Sequence, residues 1–122
     1  GAFEQSLFEF REAASGQPNP TLRALVGAFG HFERFDPDIS MAIMAAAAEA
    51  PDLMEPVNRL IEGYRRRVFA ETADPSRALV ILAALDGLRF QQLMRLPPTD
   101  PALREATIAH IRTMIEDLEP AT

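Results

Sequence analysis

The sequence predicts an all-α domain, a six-helix orthogonal bundle whose last two helices are built to pair with a second copy of themselves. Three observations carry this expectation. Apolar residues recur at three- and four-residue intervals along most of the chain. Nearly all of the ten prolines fall between those periodic stretches, where they punctuate helices without breaking them. No run alternates apolar and polar residues as a half-buried strand would. With 122 residues there is room for one hydrophobic core and not for two, so residues 1–122 are read as one domain.

The first helix, about Ala2 to Ala14, sets Phe3, Leu7 and Phe10 on one stripe and stops at the turn Gly16-Gln17-Pro18-Asn19-Pro20. The second, about Pro20 to Arg34, turns Leu22, Leu25, Val26, Phe29 and Phe32 inward, with Asn19 as its cap. Asp36-Pro37 supplies a capping side chain followed by proline at the first helical position, and so opens a third helix that runs to Glu49. Its run from Met41 to Ala48 has almost no polar face, which places it inside the domain with neighbours on several sides. A fourth helix starts at Pro51-Asp52. It carries Leu53, Val57, Leu60, Ile61, Tyr64 and Val68 on one side and Arg59, Glu62, Arg65 and Arg66 on the other. Asp74-Pro75 repeats the cap-and-proline start for a fifth helix, which Pro97-Pro98 stops near Leu96. Asp100-Pro101 opens the sixth, which ends near Glu119. At ~1.5 Å per residue the last two span roughly 30 Å each, and the short turn between them makes an antiparallel hairpin.

That hairpin has more apolar surface than the other four helices can cover. The sixth helix carries Leu103, Thr107, Ile111, Met114 and Leu118 on one seam, widened by Ile108 and Ile115. In the fifth, the run Leu79 to Leu85 is apolar in every direction around the axis. Burying a large side chain is worth ~1.5–3 kcal/mol, so leaving three or four in water would forfeit on the order of 5–10 kcal/mol, comparable to the stability of a whole domain. Two hairpins about a twofold axis would bury them in a four-helix interface. Leu82, Gly87, Gln91, Met94, Ile108, Ile111, Ile115 and Leu118 are the residues expected there. Gly87, unfavourable in a helix interior by ~1 kcal/mol relative to alanine, is expected where another backbone comes close. The alternative is a monomer in which the fifth helix is the central one.

Charge and composition narrow the function classes. Formal net charge is −6, and all twelve basic residues are arginines, dispersed except for Arg65-Arg66-Arg67. A chain of this kind lacks the concentrated basic face that phosphate contacts require, which argues against nucleic-acid binding by these residues alone. The arginine run reads as a solvated face balanced by Glu62 and Glu71. The absence of cysteine excludes disulfides, thiol nucleophiles and thiolate metal sites, and leaves the redox compartment open. The most apolar stretch, Ala78 to Leu85, ends at Asp86, far short of the ~20 residues that span a bilayer. No signal-peptide pattern is expected, and a start at Gly1 in place of methionine suggests a fragment or processed product. Neither His31 nor His110 follows a glutamate at the three-residue spacing of a di-iron bundle, and no glycine-rich phosphate loop follows a strand. Ser6, Ser15, Ser40 and Ser76 have no histidine and acid nearby in sequence. No catalytic residue, metal or cofactor is expected.

The stretch from Asp74-Pro75 to Leu96, centred on Ala84-Leu85-Asp86-Gly87-Leu88-Arg89-Phe90 and followed by Leu96-Pro97-Pro98 and Asp100-Pro101, resembles the C-terminal end of TetR-family transcriptional regulators. The helix order extends the resemblance to the whole chain. It implies the ligand-binding and dimerisation domain of a cytoplasmic bacterial regulator: a homodimer whose core pocket takes a small-molecule effector and whose DNA-binding helices then lose operator affinity. The family's helix-turn-helix lies N-terminal to this domain, and no such segment precedes Ala2, so DNA contact is not expected from these residues.

In such a domain the expected site is an apolar cavity between helices, oriented by a few polar groups. Phe29, Phe32, Met41, Met44, Met54, Tyr64 and Phe90 fit its lining, and equally fit plain core packing. Methionine suits a pocket for varied shapes, and Tyr64 stands out because a buried hydroxyl needs a partner. His31, at the end of the second helix, fits a ligand contact or the capping of its own helix. Asp86 and Arg89 share a face and fit a ligand contact, an intrahelical pair or a bridge to the second subunit. A helical dimerisation or scaffold module without ligand is the alternative to the sensor.

Overall fold

In a computed structural model that describes residues 2–32, 37–96 and 100–122, every helix after the first begins within two residues of a proline. The described elements are α1 (Ala2–Ala13), α2 (Pro20–Phe32), α3 (Pro37–Glu49), a 3-10 turn (Pro51–Met54), α4 (Glu55–Ala70), α5 (Pro75–Leu93) and α6 (Pro101–Glu116). Proline costs nothing at these positions, because the first-turn N–H it lacks has no partner within the helix. Aspartate completes two of the starts. Asp74 accepts from the Arg77 N–H at 3.2 Å and from the Ser76 hydroxyl at 3.0 Å, and those two hydrogen bonds hold its carboxyl below the ordinary range. Asp100 accepts from the Ala102 N–H at 2.9 Å. The expected Asp36 cap, and the Pro97-Pro98 stop, lie outside the described residues.

Asn19 does not cap α2. Its backbone is left-handed, at φ 54°, and its side-chain amide donates to the Leu118 carbonyl at 3.0 Å, so it ties the start of α2 to the end of the chain. The Thr21 N–H goes instead to the Glu71 carboxylate, which reaches it from just beyond α4.

The centre of the fold is α2. Leu22, Ala24, Leu25, Val26, Ala28 and Phe29 are all buried, against α1 on one side and α4, α5 and α6 on the others. Leu7 of α1, Tyr64 and Val68 of α4, Ala78, Ile81, Leu82 and Leu85 of α5, and Ile111 and Ile115 of α6 complete the core. Close packing of α1 on α2 depends on Gly27, where a Cβ would stand 2.7 Å from the Phe10 ring.

Two expectations about packing are corrected. The fourth helix is split, a 3-10 turn over Pro51–Met54 preceding α4, and Val57 points to solvent. More consequentially, α3 is not enclosed. Met41, Ala42, Met44, Ala45, Ala46 and Ala48 are exposed, and Ala47 alone of its described side chains is buried. Composition misleads here because alanine is the strongest helix former yet buries little area, so an alanine run becomes a helix without requiring a core.

After α6 the chain turns back across the junction of α4 and α5. Ala73 N donates to Glu119 O and Ala121 N to Glu71 O, both at 2.9 Å, around an isolated antiparallel bridge between Thr72 and Pro120. Near the same end, Arg23 of α2 pairs with Glu116 of α6. That guanidinium, by its hydrogen bond and then its charge, holds the Glu116 carboxyl below the ordinary glutamate range. A depressed carboxyl stabilises the fold above its unfolded value and ceases to do so as pH falls through the folded one. Denaturant melts between about pH 6 and pH 3 should therefore lose stability more gradually in Glu116→Gln than in the wild type, the difference appearing at the acid end. Identical slopes in the two proteins would contradict the pairing.

Candidate functional site

Two features remain once the core is accounted for, a polar cluster in the seam between α4 and α5 and an apolar stripe on the outside of α5 and α6. Tyr64, one residue before the arginine run, is buried with its ring in the core among residues of α5. Burial pushes its phenol above the ordinary value, the Asp86 carboxylate adds to that, and Arg89 and Arg65 oppose it. Asp86 is exposed and pairs across the seam with Arg65 at 3.9 Å, while the Arg65 guanidinium also stands over the Phe69 ring at 5.9 Å. Arg89, one turn beyond Asp86, is half-buried. Of the sequence-expected ligand residues, the fold thus brings Tyr64, Asp86 and Arg89 together, with Arg65 as a fourth member. Asp86, for which a ligand contact, an intrahelical pair with Arg89 and a bridge to a second subunit were all open, pairs with Arg65 of α4, and Glu71 does not balance the arginine run because it is engaged by Thr21 and Arg11. Arg66 does pair with Glu62, at 2.9 Å.

The cluster offers a neutral hydroxyl that can donate or accept, guanidinium donors and one carboxylate, a set that can orient a polar head group. Among the described residues no group of three or more histidines, aspartates and glutamates could hold a metal ion. Next to the cluster, an open groove of about 370 Å³ runs along α4 between Asn58, Ile61, Arg65 and Phe69.

The other expected ligand residues are dispersed. Phe29 is in the core under the Arg104 guanidinium, 5.3 Å from its ring. Met54 is half-buried on the 3-10 turn. Met41 at 39% exposed, Met44 at 48% and Phe90 at 52% face outward, so within this chain they do not line an enclosed core cavity. The side chains of His31 and Phe32 lie outside those described.

Phe90 belongs to the second feature. Leu79, Ala83, Phe90 and Met94 recur at helical spacing on the outward side of α5, with Val80 beside them and Gln91 at the edge, all exposed. On α6, Leu103, 65% exposed, and Met114 flank His110 on an outward line. The expected interface set divides here. Gln91 and Met94 are on the stripe, and Ile108 is half-buried. Leu82, Ile111, Ile115 and Leu118 are not available, because their own chain buries them, Ile111 and Ile115 to 2% exposed. The apolar arc of α6 is wide enough for two contacts, and the inner half is spent on the monomer's core. At Gly87 nothing among the described residues lies within 4 Å of where a Cβ would stand, so no other described helix makes the expected close approach. Leu79 and Val80 were the residues hardest to single out in sequence, since an all-round apolar helix carries no local mark of which side turns out.

Tyr64 is the only tyrosine and there is no tryptophan, so its ionisation can be followed directly by ultraviolet absorbance. The phenolate should form above the ordinary value of ~10, with Asp86→Asn shifting the midpoint downward. A midpoint equal to that of free tyrosine would place the hydroxyl in water.

Among curated proteins and among solved structures no match to the chain is found. Residues 19–116, from the turn before α2 to the end of α6, match the family described as Tetracyclin repressor-like, C-terminal domain. With that match spanning well over half of the sequence, and with helices in the order the family resemblance implied, the chain belongs to the tetracycline repressor-like C-terminal domain family.

Proposed function

We propose that the chain is the effector-sensing and homodimerisation domain of a TetR-like transcriptional regulator, with operator contact made by a helix-turn-helix N-terminal to it. The outward stripe of α5 and α6 carries the reading. Leu79, Val80, Phe90, Met94, Leu103 and Met114 form two lines of large apolar side chains that their own chain leaves 40–65% exposed, and a twofold pairing of hairpins would remove them from water on both copies at once. Apolar area of that extent is characteristic of an interface, not of a solvated helix. Membership of the family supports the same assignment. Sedimentation at micromolar concentration should give twice the chain mass of 13.5 kDa, and Phe90→Glu with Leu103→Glu should return it to the single-chain mass with helix content unchanged. A wild-type protein of single-chain mass would end the dimer half of the reading.

The effector in this reading is a small, largely apolar molecule held between α4 and α5, with its polar end on Tyr64, Asp86 and Arg89. Support comes from the buried hydroxyl beside two guanidiniums, a combination the core does not need for packing. A ligand acts by its different affinity for two domain arrangements, and that difference is all it can transmit. A thermal-shift screen with hydrophobic small molecules should raise the melting temperature through linkage, and each hit should change the fluorescence of Tyr64. A second reading, a dimerisation module with a solid core and no ligand, is favoured by the complete burial of Phe29, Leu22 and Ile81 at its centre. For that module the screen stays flat.

A further inference from the structure

The carboxylate of Glu71 has an unusual position. It follows the last turn of α4, yet its oxygens serve two other helices. Oε1 accepts from the Thr21 backbone N–H at 2.8 Å, capping α2 from fifty residues away in sequence. Oε2 accepts from the Thr21 hydroxyl at 2.8 Å and from the Arg11 guanidinium at 3.5 Å. The triangle is closed by Arg11 Nε, which donates to Thr21 Oγ1 at 3.2 Å. Thr21 is fully buried and Arg11 half-exposed, so the triangle is anchored inside the protein and opens at the surface along α1.

Apart from this triangle, α1 is held through its packing on α2, with Leu7 in the core. Among the described residues it packs on α2 and on no other helix. The turn that joins it to α2 contains two left-handed residues, Gly16 at φ 87° and Asn19 at φ 54°. Asn19 is fixed through Leu118 and α2 through the core, whereas Gly16 has open space around it. The matched family span begins at the last residue of this turn, Asn19, so α1 lies before the matched body. Arg11 to Glu71 is the one salt bridge that joins α1 to that body among the described residues.

We propose that Arg11, Thr21 and Glu71 form a latch that fixes the direction of α1 relative to the body, with the turn at Gly16 as its hinge. The backbone carbonyl of Glu71 also accepts from Ala121 N at 2.9 Å. The chain end that follows α6 and the helix that leads into the domain are therefore fastened to one residue. Closed, the latch makes α1 a rigid extension of α2. Open, α1 loses its fixed angle and its last turn, which carries Arg11, frays more often, while Leu7 stays against α2. The regulatory sense of the latch rests on the regulator reading, in which α1 is the segment between sensor and DNA-binding head, but the latch itself does not.

Hydrogen exchange followed by mass spectrometry tests it on the full chain. Arg11→Gln removes the charge from a half-exposed position without touching the core, and it decides the matter. Exchange in the peptides covering α1 should rise on the order of ten-fold, the scale of one charged hydrogen bond partly exposed to water, with α5 and α6 unchanged. Thr21→Val, which keeps the shape and removes the hydroxyl, should act in the same direction. Raising ionic strength from about 0.05 M to about 0.5 M should reproduce part of the effect in the wild type through screening and add nothing in Arg11→Gln. Unchanged exchange in α1 of Arg11→Gln would overturn the latch, as would a rise shared equally by α1, α5 and α6, which marks ordinary loss of global stability. The regulator reading fails by different results, a single-chain mass or a flat ligand screen.

Discussion

A helix whose first turn is shut away from water must find partners for its amide groups inside the protein, because each unpaired buried donor costs ~1–3 kcal/mol. In this fold α2 is that helix. It is surrounded by α1, α4, α5 and α6, and Thr21 in its first turn is fully buried. Proline at Pro20 removes one donor, Glu71 takes the next, and Asn19 is turned away to hold the end of the chain. The chain end and the α4–α5 junction converge on the start of α2 for this reason. Their hydrogen bonds turn a loose meeting of loops into a closed polar base beneath an apolar core.

Once α2 occupies the centre, the other helices have only their inner faces engaged. The core takes Ala78, Ile81, Leu82 and Leu85 from α5, and Ile111 and Ile115 from α6, and has no space for what faces the other way. The stripe through Leu79, Phe90 and Met94 is thus a surplus created by one helix being saturated from every side. The same geometry sets the polar cluster. Tyr64 reaches the core from α4 with its ring, and its hydroxyl end meets the charged groups at the seam of α4 and α5, where burial and the nearby carboxylate both favour the neutral phenol.

What could be read in the sequence was what short-range chemistry decides. Asp74-Pro75 and Asp100-Pro101 mark their helix starts because cap and proline act within three residues. The surplus of apolar surface on the last two helices was also legible, since it is a sum over side chains. Its division was not. Ile111 and Met114 differ by less than one turn, and only the position of α2 sends one inward and the other out. Asn19 looked like a cap because asparagine before a helix commonly is one, but a glutamate fifty residues away outcompeted it. Of the candidate site, Tyr64 carried a physical reason in its residue type, and it is the one that the fold surrounds with charge. Met41, Met44 and Phe90 fit a pocket by size and adaptability, and neither property says which side of a helix is wet.

The exposed alanine run of α3 has a separate significance. A helix that forms by intrinsic propensity, touching the rest of the molecule mainly through the 3-10 turn and α5, can exchange its outward side chains at little cost to the remainder. Descendants of this chain can therefore vary that surface freely while the saturated centre stays as it is, so divergence between lineages has a ready place to accumulate.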